Sequence, residues 1–181
     1  MKNNQISIDC LDLCADLLAF PAEGWREKYC ALGEFANGEF AKRFNKFSNF
    51  KFNDLKTPNL DEIISNYIFY FDLNSAKFGT SLLAGVWLDK KMFGESYNEI
   101  CKFYEFCGFV VEKNCDHASN LLAFCAILAE QGEWEKFLKF TKFLDFLEPL
   151  SKNLANFENL KEFEFILNFA KFLISNLKEQ R

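Results

Sequence analysis

Apolar residues recur every three or four positions along most of the chain, which is the spacing of one face of an α-helix. In the first predicted helix, residues 6–20, this stripe consists of Ile6, Cys10, Leu13, Cys14, Leu17 and Leu18. Phe20-Pro21 ends that helix, because a residue that precedes proline avoids helical backbone angles. No segment sustains the alternation of polar and apolar residues that is typical of a β-strand.

The same spacing predicts further helices, bounded by glycine, proline or capping residues. They cover residues 23–32, a short piece around Phe40, Phe44 and Phe47, Thr57-Pro58 to Phe71, 76–88, Ser96 to Gly108, Asp116 to Gly132, Trp134 to Leu144 with a stop before Pro149, and 157–178. Gly33 and Gly38 are expected to separate helices, and Ser96 with Glu99 has the spacing of a capping box. We therefore predict an all-α fold, in which residues 1–181 form one compact multi-helix bundle domain of about eight to ten helices.

One stretch, Tyr104 to Ala129, joins the end of one predicted helix to the start of another. Gly108 is expected in a left-handed conformation at a helix C-terminus. Asp116 is expected to accept hydrogen bonds from the first amides of the next helix, and His117, the single histidine, follows it directly. Two interpretations stay open: a helix cap with a histidine in the first turn, or a polar pair that faces a ligand between two helices.

Composition and charge narrow the possible functions. The 24 phenylalanines are predicted to fill the core in the place of leucine. The net charge of −5 disfavours nucleic acid as a partner, because the phosphate backbone attracts basic surfaces. An acidic surface suits a basic peptide, mainly by steering its approach.

The seven cysteines are not spaced as metal ligands, since no pair forms C-x-x-C and the chain has one histidine. We therefore predict no metal site and no cofactor, and we expect buried free thiols in a reducing cytosol. The first apolar run contains acidic residues, unlike a secretory signal. No stretch approaches 18 uncharged apolar residues, so we predict no membrane insertion and a cytoplasmic location.

The sequence favours recognition over catalysis. A nucleophile elbow, a phosphate-binding loop and a dinucleotide-binding fingerprint are absent from it. A catalytic triad would have to use His117, and a pair of Cys115 with His117 would lack an element that stabilises an oxyanion. We therefore predict that the chain is not an enzyme, and that a groove between helices holds a peptide.

Several segments, taken in order, resemble the TorD/DmsD/NarJ superfamily of chaperones for molybdenum enzymes. They are Leu17-Leu18-Ala19-Phe20-Pro21, Tyr67-x-x-x-Phe71-Asp72, Thr80-Ser81-Leu82-Leu83, and Tyr104-x-x-x-Gly108-Phe109 followed by Asp116-His117 and Leu122-x-Phe124. The second and third resemble the NarJ branch in particular. The likeness extends over residues 17 to 129, and Cys115 stands where the superfamily usually has proline.

The resemblance implies a cytoplasmic chaperone that binds the N-terminal twin-arginine signal peptide of an apo molybdoenzyme subunit. Such proteins hold the peptide until the molybdopterin cofactor is inserted, and they occur as monomers or helix-exchanged dimers. The client would be a formate dehydrogenase, a nitrate reductase or an S- or N-oxide reductase. Carried onto this sequence, the peptide-binding residues would be Asp116, His117, Tyr67, Phe71, Asp72 and Tyr104.

Two hypotheses make different predictions for Asp116. In a signal-peptide chaperone its carboxylate would accept charge-assisted hydrogen bonds from arginine, so that Asp116→Ala weakens peptide binding and leaves the fold nearly unchanged. In an all-helical scaffold for some other partner, Asp116 is only a cap, and its loss costs about 1 kcal/mol of stability. His117 would either touch the peptide or only fix the loop.

Overall fold

The described part of the structure is mainly helical, as the spacing of apolar residues predicts. The computed structural model describes residues 2–48, 59–111 and 114–179. These ranges contain eleven α-helices: α1 (Lys2–Leu18), α2 (Trp25–Asn37), α3 (Ala41–Phe47), α4 (Leu60–Tyr67), α5 (Ser75–Phe78), α6 (Ala84–Leu88), α7 (Glu95–Phe106), α8 (Ala118–Glu130), α9 (Trp134–Phe140), α10 (Leu147–Leu154) and α11 (Lys161–Glu179). A π-helix, Ile68–Leu73, follows α4 directly, and 3₁₀-helices cover Thr141–Leu144 and Glu158–Leu160. The predicted all-α fold is confirmed.

The core forms where α1 packs along both α8 and α11. Helix α8 is buried on most sides, as expected for an apolar helix that other helices surround. On α11, the rings of Phe169 and Phe172 meet Phe40 and Phe44 at centroid distances of 5.0–5.8 Å. These phenylalanines fill the core, as the composition predicts. No helix in the described ranges is both long enough and apolar enough to cross a membrane.

Three predicted helix boundaries are wrong, and tertiary packing explains them. Gly33 lies buried inside α2, where burial outweighs the roughly 1 kcal/mol that glycine costs a helix. The helix predicted over 76–88 is two short helices, α5 and α6, because the chain leaves the helix at residues 79–83, where Leu83 is extended and pairs with His117. Pro149 was expected to follow a helix, but it lies in the first turn of α10, where proline is tolerated.

The end of α7 has the predicted geometry. Gly108 has a φ angle of 81°, which glycine adopts without strain. Its N–H donates to the Glu105 carbonyl at 2.9 Å, and the N–H of Phe109 donates to the Tyr104 carbonyl at 2.9 Å. This pair of bonds is the Schellman arrangement, and the predicted role of Gly108 is therefore confirmed.

The helix starts follow the prediction less closely. The capping box at Ser96 and Glu99 is wrong, because the Asp89 carboxylate accepts from the Ser96 N–H at 2.8 Å and from its hydroxyl at 2.9 Å. The start predicted at Thr57-Pro58 lies outside the described residues. Helix α4 follows Asn59, whose side chain accepts a first-turn amide at 3.0 Å.

Two of the seven cysteines are joined. Cys101, on α7, and Cys115, in the loop before α8, form a disulfide with their Cα atoms 6.1 Å apart. The expectation of free thiols is therefore wrong for this pair. It is confirmed for Cys10, Cys14 and Cys125, which are free and buried, whereas Cys30 and Cys107 are free but partly exposed.

Candidate functional site

A groove opens where the end of α1 meets the junction of α4 with the π-helix, together with α5 and α6. Its volume is about 600 Å³, which falls in the range of roughly 300–1,000 Å³ typical of ligand pockets. Most of its surface is apolar. The lining residues are Phe20, Tyr67, Phe71, Asp72, Ser75, Ala76, Ser81, Leu82, Leu83, Val86, Lys91, Met92, Asn114 and His117.

Residues 82–86 form one wall of the groove. Asp116 holds this wall in place, because its carboxylate contacts the start of α6. Its Oδ2 accepts from the Gly85 N–H at 2.9 Å, and its backbone carbonyl accepts from the Ala84 N–H at 2.9 Å. The first amides of a helix have no partner within the helix, so Asp116 satisfies two of them. Its side chain is 3% exposed, and burial raises the pKa of this carboxyl. Asp116 therefore caps α6, and its predicted role as the cap of α8 is wrong.

The residues on either side of Asp116 extend this contact into a short β-like pairing. The Ala118 N–H donates to the Leu82 carbonyl at 2.8 Å, and Leu83 forms an isolated antiparallel bridge with His117. Gly85 allows the close approach, because a Cβ there would lie 3.1 Å from Oδ2 of Asp116. The wall at residues 82–86 is thus held by the loop that precedes α8.

His117 caps α8 and presents its other ring edge to Tyr67. Nδ1 of His117 accepts from the Ser119 N–H at 3.3 Å and lies 2.8 Å from the Ser119 hydroxyl. Because Nδ1 accepts, the neutral ring carries its proton on Nε2, which lies 3.5 Å from the Tyr67 hydroxyl. Burial lowers the pKa of His117 to about 4, so the ring is neutral at pH 7.

The burial of a neutral imidazole predicts a specific pH dependence of stability. Between pH 6.5 and about pH 4 the unfolded chain binds a proton on His117 that the folded chain does not, so stability falls as the pH falls through this window. By pH 5 the parent is expected to lose roughly 1–2 kcal/mol from this group, and His117→Asn, which keeps a capping side chain, is not.

Urea unfolding of both proteins at pH 7 and pH 5 measures this difference. Carboxyls with raised pKa, such as those of Asp116 and Glu162, act in the opposite direction in both proteins and cancel in the comparison. An equal loss in parent and variant would contradict a neutral, buried His117.

The π-helix brings Phe71 and Asp72 to the groove. A π turn is wider than an α turn and is found mostly as a single turn at functional sites. Its carbonyls find partners outside the helix: the Asn74 side chain donates to the Phe69 carbonyl at 2.9 Å, and the Thr80 hydroxyl donates to the Tyr70 carbonyl. The π turn leaves Phe71 buried and the neighbouring Asp72 exposed.

The groove combines opposite charges with exposed apolar side chains. Asp72 and Lys91 are exposed, and within the described residues neither has an ion-pair partner. Partial burial raises the pKa of the Asp72 carboxyl. Phe20 and Met92 are 54% and 53% exposed, and such contiguous apolar surface marks interaction sites.

The structure brings together part of the predicted peptide site. Asp116 and Tyr104 do not line the groove. Tyr104 is buried in the core, where its hydroxyl donates to the Asn120 carbonyl at 3.0 Å and its ring lies 4.4 Å from that of Phe124. These two residues support the surrounding scaffold. The predicted residues that do line the groove are Tyr67, Phe71, Asp72 and His117.

The sequence predicts a loop after residue 88, but sequence reasoning did not assign its Lys91 and Met92 to the groove, which they line. The flanking residues Lys90 and Phe93 have φ angles of 59° and 54°, and Asn114, which also lines the groove, has a φ angle of 48°. Positive φ angles are rare for bulky residues and cluster at functional sites. The loop has no glycine at these positions, so the sequence gives no sign of the left-handed turns.

The sequence also raised Cys115 and His117 as a nucleophile pair. The sulfur of Cys115 is bonded to Cys101, so no free thiol lies beside the imidazole in this structure. Across the described ranges, no three His, Cys, Asp or Glu side chains are grouped closely enough to hold a metal ion.

A comparison with models of known protein families identifies a match. The model of a protein family described as "Nitrate reductase delta subunit" matches residues 22–159, more than half of the chain. Searches of the curated proteins and of the solved structures found no match. The matched range contains every residue that lines the groove except Phe20.

Proposed function

We propose that this chain, which belongs to the nitrate reductase delta subunit family, is a chaperone that binds the twin-arginine signal peptide of an apo molybdoenzyme subunit. The family lies within the TorD/DmsD/NarJ superfamily and is known for chaperones of molybdoenzyme maturation. In this proposal the chain works in the cytoplasm, where it holds the peptide until the molybdopterin cofactor has been inserted.

The observation that carries the proposal is the composition of the groove. Tyr67, at the end of α4, and Phe71 and Asp72, on the π-helix, line one cavity of about 600 Å³ together with His117, which lies far along the chain at the start of α8. An extended peptide can lay alternate side chains into such a groove between helices. The exposed rings and aliphatic groups suit an apolar run, and a carboxylate suits a basic residue.

Asp72 is the carboxylate that we propose to bind arginine. It is exposed at the groove and has no ion-pair partner among the described residues. The guanidinium group presents a planar fork of donors that matches a carboxylate, and such charge-assisted bonds are stronger than neutral ones. Asp116 is a poorer candidate, because its carboxylate is buried and already accepts the Gly85 N–H.

The apolar part of a signal peptide would contact the remainder of the groove. Phe20 and Met92 expose about half of their surface, and the apolar side chains of Leu83 and Val86 also line the groove. Burial of apolar area on binding supplies roughly 25 cal/mol per Å² before the costs of association. Apolar contacts would therefore supply affinity, and Asp72 would supply preference for arginine.

Calorimetric titration with a synthetic twin-arginine signal peptide tests the proposal. We expect saturable binding at one site, and we expect much weaker binding of the same peptide with both arginines changed to glutamine. Absence of binding to either peptide would contradict the proposed function and favour a helical scaffold for another partner.

Asp72→Asn is expected to weaken binding of the twin-arginine peptide by about tenfold or more, because a hydrogen bond to a charged group contributes roughly 1.5–3 kcal/mol. The matched control is Glu105→Gln, which removes one negative charge at an exposed position of α7 away from the groove. Equal affinities of the two variants for the peptide would show that Asp72 contributes only to overall charge.

A further inference from the structure

The disulfide between Cys101 and Cys115 lies next to the groove. Cys115 directly precedes Asp116 and His117, and its bond to Cys101 fastens their loop to α7. Cys101 is partly exposed, whereas Cys115 is 1% exposed. A small thiol can therefore approach the pair from the side of Cys101.

The surroundings of Cys115 can accommodate a thiol as well as a disulfide. Sγ of Cys115 lies 3.8 Å from the backbone carbonyl oxygen of Tyr97. A disulfide sulfur has no proton to donate, but the reduced S–H of Cys115 could donate to this carbonyl. The reduced form would thus keep a partner for the buried sulfur.

A short chain of contacts connects the disulfide to the groove wall. Cys115 is covalently joined to Asp116, whose backbone and side-chain oxygens accept from Ala84 and Gly85 at the start of α6. The same loop pairs with Leu82 through the Ala118 N–H. Fastening of this loop to α7 therefore also fastens residues 82–86, which form one wall of the groove.

We propose that Cys101 and Cys115 form a reversible thiol–disulfide switch that sets how rigidly the groove is formed, and so how tightly it holds the signal peptide. The binding part of this inference rests on the proposed function. A disulfide removes conformational freedom from the loop it closes, and a preorganised site loses less entropy when it binds. The disulfide form is therefore the tighter binder.

Glutathione disulfide can oxidise the two cysteines, and glutathione can reduce their disulfide, by thiol–disulfide exchange. In oxidation, the thiolate of Cys101 attacks one sulfur of glutathione disulfide and displaces one glutathione thiolate, which gives a mixed disulfide. The thiolate of Cys115 then attacks Sγ of Cys101 and displaces the second glutathione. Two protein thiols are oxidised, one glutathione disulfide is reduced to two glutathiones, and these take up the two protons. Reduction reverses the steps, with the first attack at Cys101.

Hydrogen–deuterium exchange of the full chain tests the switch without any peptide. It is measured in two glutathione buffers, one oxidising and one reducing. On reduction, we expect the amides of residues 82–88 and 114–121 to exchange roughly fivefold faster or more. Alkylation and mass spectrometry report how many cysteines are reduced in each buffer. Cys101→Ser should exchange quickly in both buffers, and Cys107→Ser, a partly exposed cysteine outside the pair, should behave as the parent.

Titration of the twin-arginine peptide in the same two buffers completes the test. We expect affinity to fall by roughly fivefold or more on reduction of the parent and of Cys107→Ser, and to be unaffected by the buffer in Cys101→Ser. Two results would overturn the switch: alkylation of all seven cysteines in the oxidising buffer, or identical amide exchange rates of the parent in both buffers. Exchange that responds to the buffer without any peptide binding would overturn the proposed function and leave the switch standing.

Discussion

Phe163→Ala is expected to lower the free energy of unfolding by about 3–5 kcal/mol, the usual cost of deleting a buried phenylalanine ring. Phe163, on α11, is fully buried beneath the groove. Its ring centroid lies 5.0 Å from that of Phe71, 6.0 Å from that of Tyr67 and 5.9 Å from that of Trp25. The change would leave a cavity beneath Tyr67 and Phe71, whose rings line the groove.

The same change is expected to weaken peptide binding by roughly fivefold or more, because Tyr67 and Phe71 would lose the surface that holds their rings. Phe169→Ala is the matched control. Phe169 is also fully buried on α11, but its ring packs against Phe40 and Phe44, away from the groove.

Urea unfolding and calorimetric titration, at a temperature where both variants are folded, separate the two effects. We expect similar losses of stability for the two variants and a loss of affinity in Phe163→Ala alone. Equal affinities of the folded variants would mean that the groove does not depend on the ring beneath it.

Asp116→Ala is expected to lower the free energy of unfolding by about 2–3 kcal/mol. The change removes the acceptor of the Gly85 N–H and leaves that buried donor without a partner, which costs roughly 1–3 kcal/mol. The cap of α6 is lost at the same time. In a chain of this length the melting temperature should fall by roughly 4–12 °C.

Asp116→Asn distinguishes the role of Asp116 as the cap of α6 from a role of its negative charge in peptide binding. The side-chain carbonyl of asparagine can still accept the Gly85 N–H, so we expect a loss below about 1 kcal/mol and nearly parental peptide affinity. A direct contact between the carboxylate and arginine makes the opposite prediction, namely a normal fold with weak binding. Thermal unfolding and calorimetry of Asp116→Ala and Asp116→Asn decide between the two roles.

Local features could be predicted from the sequence because they depend on neighbours in the chain. The periodic apolar residues give the helices, and Gly108 gives the left-handed end of α7. The resemblance of short segments to a chaperone superfamily pointed to Tyr67, Phe71, Asp72 and His117, which line one groove. In each of these cases the determining pattern lies within a few residues.

The role of Asp116 could not be predicted in this way, because its partner Gly85 is 31 residues away. The propensity of residues 76–88 favours one continuous helix. Pairing of Leu83 with His117, in the loop before α8, divides this helix into α5 and α6. The disulfide depends on the distance between α7 and the same loop, which spacing along the chain does not specify. All three depend on contacts between elements that fold together.

The π turn at Ile68–Leu73 makes the position of Asp72 depend on the length of this segment. One inserted residue is enough to widen an α turn into a π turn, and each residue of an α-helix advances it by about 100°. Deletion of a single codon here would return the segment to ordinary helical register and rotate the acidic side chain away from the groove. Under the proposed function, a change of one residue in length at this point would therefore alter which peptides the groove accepts, with no substitution among the residues that line it.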